Sequence, residues 1–224
     1  MSEADRSAPV RPVLVWDAAT RITHWLLVVL VPFSWWSSEV AHRLDWHRWS
    51  GYTVIAVLVL RLFWGVFGTS TARFSQFVRG PRAIAEYVSG NAPPRLGHNP
   101  LGALSVMAML GLLITQVCLG LFAVDIDGLE SGPLSDRVSF ENGRLLAGLH
   151  GLTFKLLLGL IALHLIVIGV YALRRHNLIG PMVTGRRLWQ GEGATPAPMW
   201  RLALGLILAM AVAYLISKGL RLRF

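Results

Sequence analysis

Five long apolar runs in this chain of 224 residues constrain its fold more than any other feature. Each run is close to the ~20 residues that a helix needs to cross a bilayer. Hydrophobic residues make up 54% of the sequence and charged residues only 15%, whereas charged residues make up about a quarter of a soluble domain. The sequence therefore predicts an all-α membrane protein whose spanning helices cover residues 22–40, 47–67, 100–124, 145–173 and 199–216.

The net charge of +9 comes mainly from arginines that flank these runs. Such cations set the orientation of membrane helices, and no RNA-binding signature accompanies them, so we expect lipid and no nucleic acid as their partner. The basic segments precede the first run and follow the second and fourth, which predicts a cytoplasmic N-terminus. The acidic loop after the third run then faces outward. Basic residues are expected on the cytoplasmic side, but with five spans and a cytoplasmic N-terminus the residues after the fifth run face outward. These include Lys218, Arg221 and Arg223.

Four histidines lie in or at the ends of the runs. His150 and His164 are 14 residues apart in one run, which in an α-helix is almost four turns, so both imidazoles leave the same face roughly 21 Å apart. The predicted orientation pairs His24 with His164 at the cytoplasmic level and His47 with His150 at the outer level. Each level receives two imidazoles from different helices, the number that a six-coordinate haem iron needs as axial ligands.

Two b-type haems fit these residues better than other metal groups do. Zinc usually takes four ligands, and no acidic or thiolate set accompanies the histidines. A di-iron carboxylate site needs two Glu-x-x-His pairs, and the chain has one, Glu39 with His42. The single cysteine, Cys118, excludes a CxxCH haem attachment, and we expect it to be a small buried residue. For any one histidine alone, the alternative is an interfacial or packing role.

Other residues are predicted to contact the cofactors. Arg61 lies 14 residues after His47 and is predicted to pair with a haem propionate at the cytoplasmic level. Arg21 is a second candidate, and for both the alternative is a side chain that reaches the headgroups. Gly51, one turn after His47, leaves space for a porphyrin, although close helix packing explains it equally well. His98 lies near the cytoplasmic level. For Gln116, we expect an interhelical hydrogen bond rather than a quinone contact.

Several stretches resemble the bacterial di-haem cytochrome b561 family, which includes the cytochrome b subunits of nickel–iron hydrogenases. They are VWDAATRITHW, WHRWSGY, LRLFWGVFGTSTARFSQFVRGPRA, GHNPLGAL and LHGLTFKLLLGLIALHL, within residues 13–184. The resemblance implies a four-helix bundle in the bacterial inner membrane with two b-type haems on His24, His47, His150 and His164. It also implies electron exchange with quinone, and often with a c-type cytochrome or a periplasmic redox enzyme.

The expected organisation is a cytoplasmic segment 1–21, a di-haem domain 22–184, and a loop with an additional spanning helix over 185–224. The favoured function is an electron-transfer subunit, and a homodimer is a further expectation. The alternatives are a stand-alone superoxide:quinone oxidoreductase and a non-redox transporter or scaffold. For the oxidoreductase, Lys155, Arg43 and Arg48 would form a positive funnel, against which the acidic loop argues. Against a transporter, the sequence shows no inverted repeat.

Overall fold

The computed structural model describes residues 9–126 and 130–221. It contains five helices that are long and apolar enough to cross a membrane, and this confirms the predicted all-α membrane fold. They are α1 (Ala18–Glu39), α2 (Leu44–Phe67), α3 (Pro100–Phe122), α4 (Phe140–Leu173) and α5 (Met199–Ser217). Shorter helical segments lie at Ser70–Ala72, Phe74–Phe77, Pro81–Val88, Ser135–Arg137 and Ile179–Thr184.

Three of the long helices begin earlier than their apolar runs, because a polar first turn belongs to the helix. α1 begins at Ala18 rather than at residue 22, and the carboxylate of Asp17 accepts a hydrogen bond from the backbone N–H of Thr20 at 2.7 Å. α4 begins at Phe140 rather than at residue 145, after Ser139. A side-chain acceptor at such a position satisfies an N–H that has no partner inside the helix. Hydropathy marks the spanning part of a helix and misses its polar cap.

The chain forms two compact units, each built from segments that are far apart in sequence. The first unit contains Met1–Ile22, Leu62–Met107 and Leu163–Ala203, and the second contains Thr23–Arg61, Ala108–Ala162 and Leu204–Phe224. The predicted division into 1–21, 22–184 and 185–224 follows sequence order and stays a prediction.

The first unit contains a small sheet that the hydropathy pattern did not predict. Strands β1 (Arg11–Leu14) and β2 (Arg186–Trp189) pair antiparallel. Next to the sheet, the backbone N–H of Val15 donates to the carbonyl of Gly185 at 2.8 Å. Gly185 has a φ of 80° and ends the short helix before β2, a left-handed position that favours glycine. This pairing ties the N-terminal segment to the loop that leads to α5.

In the second unit, the end of α5 lies against the loop between α3 and α4. Arg221 forms an ion pair with Asp136, and the Arg137 guanidinium donates to the carbonyl of Gly219 at 3.2 Å. The basic end of α5 therefore lies beside an acidic loop, which offsets part of its charge, and the predicted topology stays a prediction. Arg223 and Asp127, which belong to the same two charged segments, lie outside the described residues.

Large apolar side chains are exposed along the long helices, as contact with lipid requires. On α4, Leu165, Ile166 and Leu173 are all more than half exposed. Cys118 on α3 is also exposed, so the prediction that it is buried was wrong. The prediction failed because a small apolar residue in a membrane helix can face the lipid hydrocarbon as well as the protein interior.

Candidate functional site

The second unit brings together His47 of α2 and His150 of α4. Their ring centres are 6.0 Å apart, and their planes are nearly perpendicular, at 84°. With metal–nitrogen bonds of about 2 Å, two imidazoles on opposite sides of one metal ion have ring centres about 6 Å apart. Within residues 9–126 and 130–221, no group of three or more His, Cys, Asp or Glu side chains is placed to hold a metal ion. The distance between His47 and His150 is thus the distance expected for two ligands of one metal ion.

Both imidazoles are oriented by a backbone carbonyl of a neighbouring helix. Nδ1 of His47 donates to the carbonyl of Ser34 on α1 at 2.8 Å, and Nδ1 of His150 donates to the carbonyl of Gln116 on α3 at 2.8 Å. A carbonyl oxygen only accepts, so the hydrogen of each neutral ring lies on Nδ1 and the lone pair on Nε2. This arrangement is common for histidines that bind a metal through Nε2.

The side chain of Gln116 joins the same group. It is buried, its Nε2 lies 3.1 Å from Nε2 of His150, and its Oε1 accepts from the hydroxyl of Thr153 on α4. The predicted interhelical hydrogen bond of Gln116 is thus confirmed. An iron on Nε2 of His150 requires this amide to turn aside, because both use the same lone pair.

A cavity of about 340 Å³ opens beside the two histidines, within the size range of small-molecule sites. Gly51 and Gly151 line it, and no atom lies within 4 Å of the point where a Cβ would stand at either glycine. At Gly120, by contrast, a Cβ would stand 2.8 Å from Cε1 of His150. Glycine at these positions keeps one wall open and one imidazole in place, and both features fit a flat macrocycle held between two axial ligands.

The other predicted ligand pair is divided between the two units. His24 is in the second unit, where its ring meets the edge of Trp25 at 5.1 Å between centres, and His164 of α4 is in the first. Their pairing stays a prediction. Arg61, in the second unit, has only 7% of its surface exposed. This burial disfavours a side chain that reaches the headgroups, and the role of Arg61 at a propionate stays a prediction.

Arg21 and His98 both belong to the first unit. Nη1 of Arg21 donates to the carbonyl of Val183, so this side chain holds the segment before β2. His98 lies between two aromatic rings, with centre-to-centre distances of 4.6 Å to Trp16 and 4.7 Å to Phe77. The structure thus shows a backbone hydrogen bond for Arg21 and aromatic packing for His98, and their proposed contact with a cofactor stays a prediction.

Five charged residues also line the cavity, and sequence reasoning did not assign them to a cofactor. They are Glu39, Arg48, Asp125, Glu130 and Arg144. From the sequence, Arg48 was expected only in a positive funnel. Its position directly after His47 was a signal for a place at the cofactor. Gly120 also had a signal, since it follows Gln116 by one helical turn.

Comparison with known proteins gives one match. The sequence model of the family described as prokaryotic cytochrome b561 matches residues 15–185. This range contains the four predicted axial histidines and most of the described part of the chain, whereas β2 and α5 follow it. No curated protein and no solved structure matches the chain.

Proposed function

The chain belongs to the prokaryotic cytochrome b561 family, and we propose that it carries electrons across the bacterial inner membrane between a periplasmic redox partner and the quinone pool. The family implies haem b, and the five apolar helices make the chain a multi-pass membrane protein. The proposal adds two haems per chain, four named axial ligands and a cytoplasmic N-terminus.

The geometry of His47 and His150 is the observation that most supports this proposal. Two helices present imidazoles with centres 6.0 Å apart, and each Nδ1 is bound to a carbonyl, which leaves both Nε2 atoms for iron. His47 and His150 would hold haem b, which would supply reversible one-electron chemistry, and ligation by two histidines would favour electron transfer over oxygen binding. The chain itself supplies the ligands and their orientation, and the cavity beside Gly51 supplies the space.

For the second haem we propose His24 and His164 as ligands. His164 follows His150 by 14 residues on α4, which is a rise of roughly 21 Å along the helix axis. One helix then contributes a ligand at two depths, as a path for electrons across a membrane requires. Arg61 is the proposed partner of a propionate at this level, and Arg21 and His98 are further proposed contacts.

The proposed periplasmic partner is a c-type cytochrome or a subunit of a redox enzyme. Carboxylates around the His47–His150 cavity would attract a basic partner surface. Asp45 and Asp136, by contrast, are already neutralised by Arg43 and Arg221. We also propose that the chain forms a homodimer. The proposal includes no nucleic-acid partner.

The test is a haem count on the purified full chain. A reduced-minus-oxidised spectrum with a pyridine haemochrome assay should give two haems b per chain. His47→Ala and His150→Ala should each lose the same haem, and His24→Ala and His164→Ala should each lose the other. His176→Ala is the matched control, because His176 is an exposed histidine outside the proposed ligand set, and it should keep both haems.

Three results would contradict the proposal: a colourless protein, a single haem per chain, or loss of the same haem in the two single variants His24→Ala and His47→Ala. An Arg61→Ala variant with unchanged content and midpoint potential of the His24–His164 haem would contradict the propionate pairing alone. A colourless protein would also favour the transporter or scaffold alternative.

A superoxide:quinone oxidoreductase is the second candidate, because Arg48 lines the cavity beside His47. The other two funnel residues support it less: Arg43 is paired with Asp45, and neither Arg43 nor Lys155 lines the cavity. Reduction of quinone by the purified chain with superoxide, without a protein donor, would favour this activity.

A further inference from the structure

Two arginines in the His47–His150 cavity have no assigned role. Arg48 follows His47 on α2, and Arg144 lies in the first turns of α4, ahead of His150. Both line the cavity. Arg48 is exposed and Arg144 is half-buried, and the planar fork of a guanidinium suits a carboxylate. We infer that Arg48 and Arg144 bind the two propionate groups of the haem held by His47 and His150; this inference rests on the proposed function.

The hydrogen-bonding state of the two guanidinium groups supports this assignment. Arg144 donates to the carbonyl of Val124 at 3.1 Å, which uses one of its five N–H donors. In the described part of the chain, neither Arg48 nor Arg144 forms an ion pair with a carboxylate, although Arg43, Arg82 and Arg221 each do. Both guanidinium groups therefore keep donors in the fork geometry that suits a carboxylate.

The acidic residues of the cavity are a further reason to place the two arginines beside the propionates. Glu39, Asp125 and Glu130 line the same space, and none of them forms an ion pair with Arg48 or Arg144 among the described residues. Two propionates placed near these three carboxylates would repel them unless a cation lay beside each propionate. With the arginines placed at the propionates, the charges of the cofactor side chains are balanced within the cavity.

The experiment compares midpoint potentials of the two haems in the purified haem-loaded protein. Arg48→Gln and Arg144→Gln should each lower the potential of the haem that His47→Ala removes, because a nearby positive charge stabilises the reduced form. The expected change is about tenfold in the reduction equilibrium, or about 59 mV for one electron. The other haem should keep its potential. The lost charge should also make the affected potential more dependent on pH, since the propionate then titrates closer to neutrality.

Three further variants make the result specific. Arg43→Gln is the matched control, because Arg43 is paired with Asp45 and does not line the cavity, and it should leave both potentials unchanged. Arg48→Lys and Arg144→Lys keep the charge and should restore most of the potential, which also answers the objection that a Gln variant is misfolded.

Unchanged potentials in both Gln variants, or an equal shift in Arg43→Gln, would overturn the inference. So would normal potentials combined with a loss of superoxide-driven quinone reduction, since the arginines would then face a diffusible anion. These outcomes differ from failure of the proposed function, which shows as a missing haem in the unsubstituted protein.

Discussion

The two compact units use their polar side chains in different ways. In the first unit, polar groups take part in the packing of the protein interior. Nε1 of Trp64 donates to the Asp17 carboxylate at 2.8 Å, and Thr69 is almost completely buried. In the second unit, polar groups surround a cavity, and the histidines there are fixed by the carbonyls of Ser34 and Gln116. The difference indicates that polar residues in an apolar chain either complete the packing or orient a ligand. Apart from the proposed haem ligand His164 and the proposed contacts Arg21 and His98, variants in the first unit should mainly affect stability, and variants around the cavity of the second should mainly affect cofactor binding.

The largest effect is expected from a side chain at position 120. Gly120→Val places a Cβ 2.8 Å from the His150 ring, so the imidazole must move and the haem of His47 and His150 should be lost. Gly111→Val is the control, since Gly111 lies on the same helix and no atom is within 4 Å of its Cβ position. The pyridine haemochrome assay should give one haem for the first variant and two for the second. Two haems in Gly120→Val would show that His150 is not held as described.

A smaller effect is expected at Gln116, because His150 is oriented by the backbone of this residue rather than by its side chain. Gln116→Leu keeps the carbonyl and removes the amide, so both haems should remain. The midpoint potential of the His47–His150 haem should shift by about 40 mV or less, which corresponds to one hydrogen bond of about 1 kcal/mol. An optical redox titration measures this shift. Loss of the haem would mean that the side chain, and not the carbonyl, determines the position of His150.

The smallest effect on the cofactors is expected in the first unit, at Tyr87. Its hydroxyl lies 2.6 Å from that of Tyr171, and the Asn99 amide donates to both, at 2.9 and 3.1 Å. Tyr87→Phe should lower the free energy of unfolding by about 1 kcal/mol and leave both haem potentials unchanged. Thermal unfolding and redox titration of the same sample check the two halves of this prediction, and a shifted potential would contradict the division of roles between the units.

The same hydroxyl gives this effect a pH dependence. Burial, together with the neighbouring Tyr171 hydroxyl, raises the pKa of Tyr87 to about 12. In the unfolded chain the pKa is about 10, so between these values the folded state keeps a proton that the unfolded state has released. The contribution of Tyr87 to the free energy of unfolding is fully present below about pH 10 and is lost as the pH rises towards 12. The difference in stability between the unsubstituted protein and Tyr87→Phe should therefore shrink over this interval.

The spanning helices and the proximity of His47 to His150 could be predicted from the sequence. The apolar runs indicated the helices, and the orientation predicted from the flanking arginines put these two rings at the same level. The ends of α1 and α4 could not be placed from hydropathy, since their first turns are polar.

Features that depend on contacts between distant segments could not be predicted. β1 and β2 are only four residues long and pair across more than 170 positions, so neither strand gives a clear pattern by itself. The positions of Arg48 and Arg144 at the cavity depend on side-chain directions at helix ends, where flanking charges are common in any membrane protein. The exposure of Cys118 depends on which face of α3 meets lipid, and the weak amphipathicity of that helix does not show this.

The ion pair between Arg221 and Asp136 has a consequence for the order in which the protein is made. Asp136 leaves the ribosome 85 residues ahead of Arg221, so its loop is synthesised before α5 is complete. The carboxyl end of α5 must then be translocated to whichever side already holds that loop. A reporter enzyme fused behind α5 would therefore also report the side on which the loop resides.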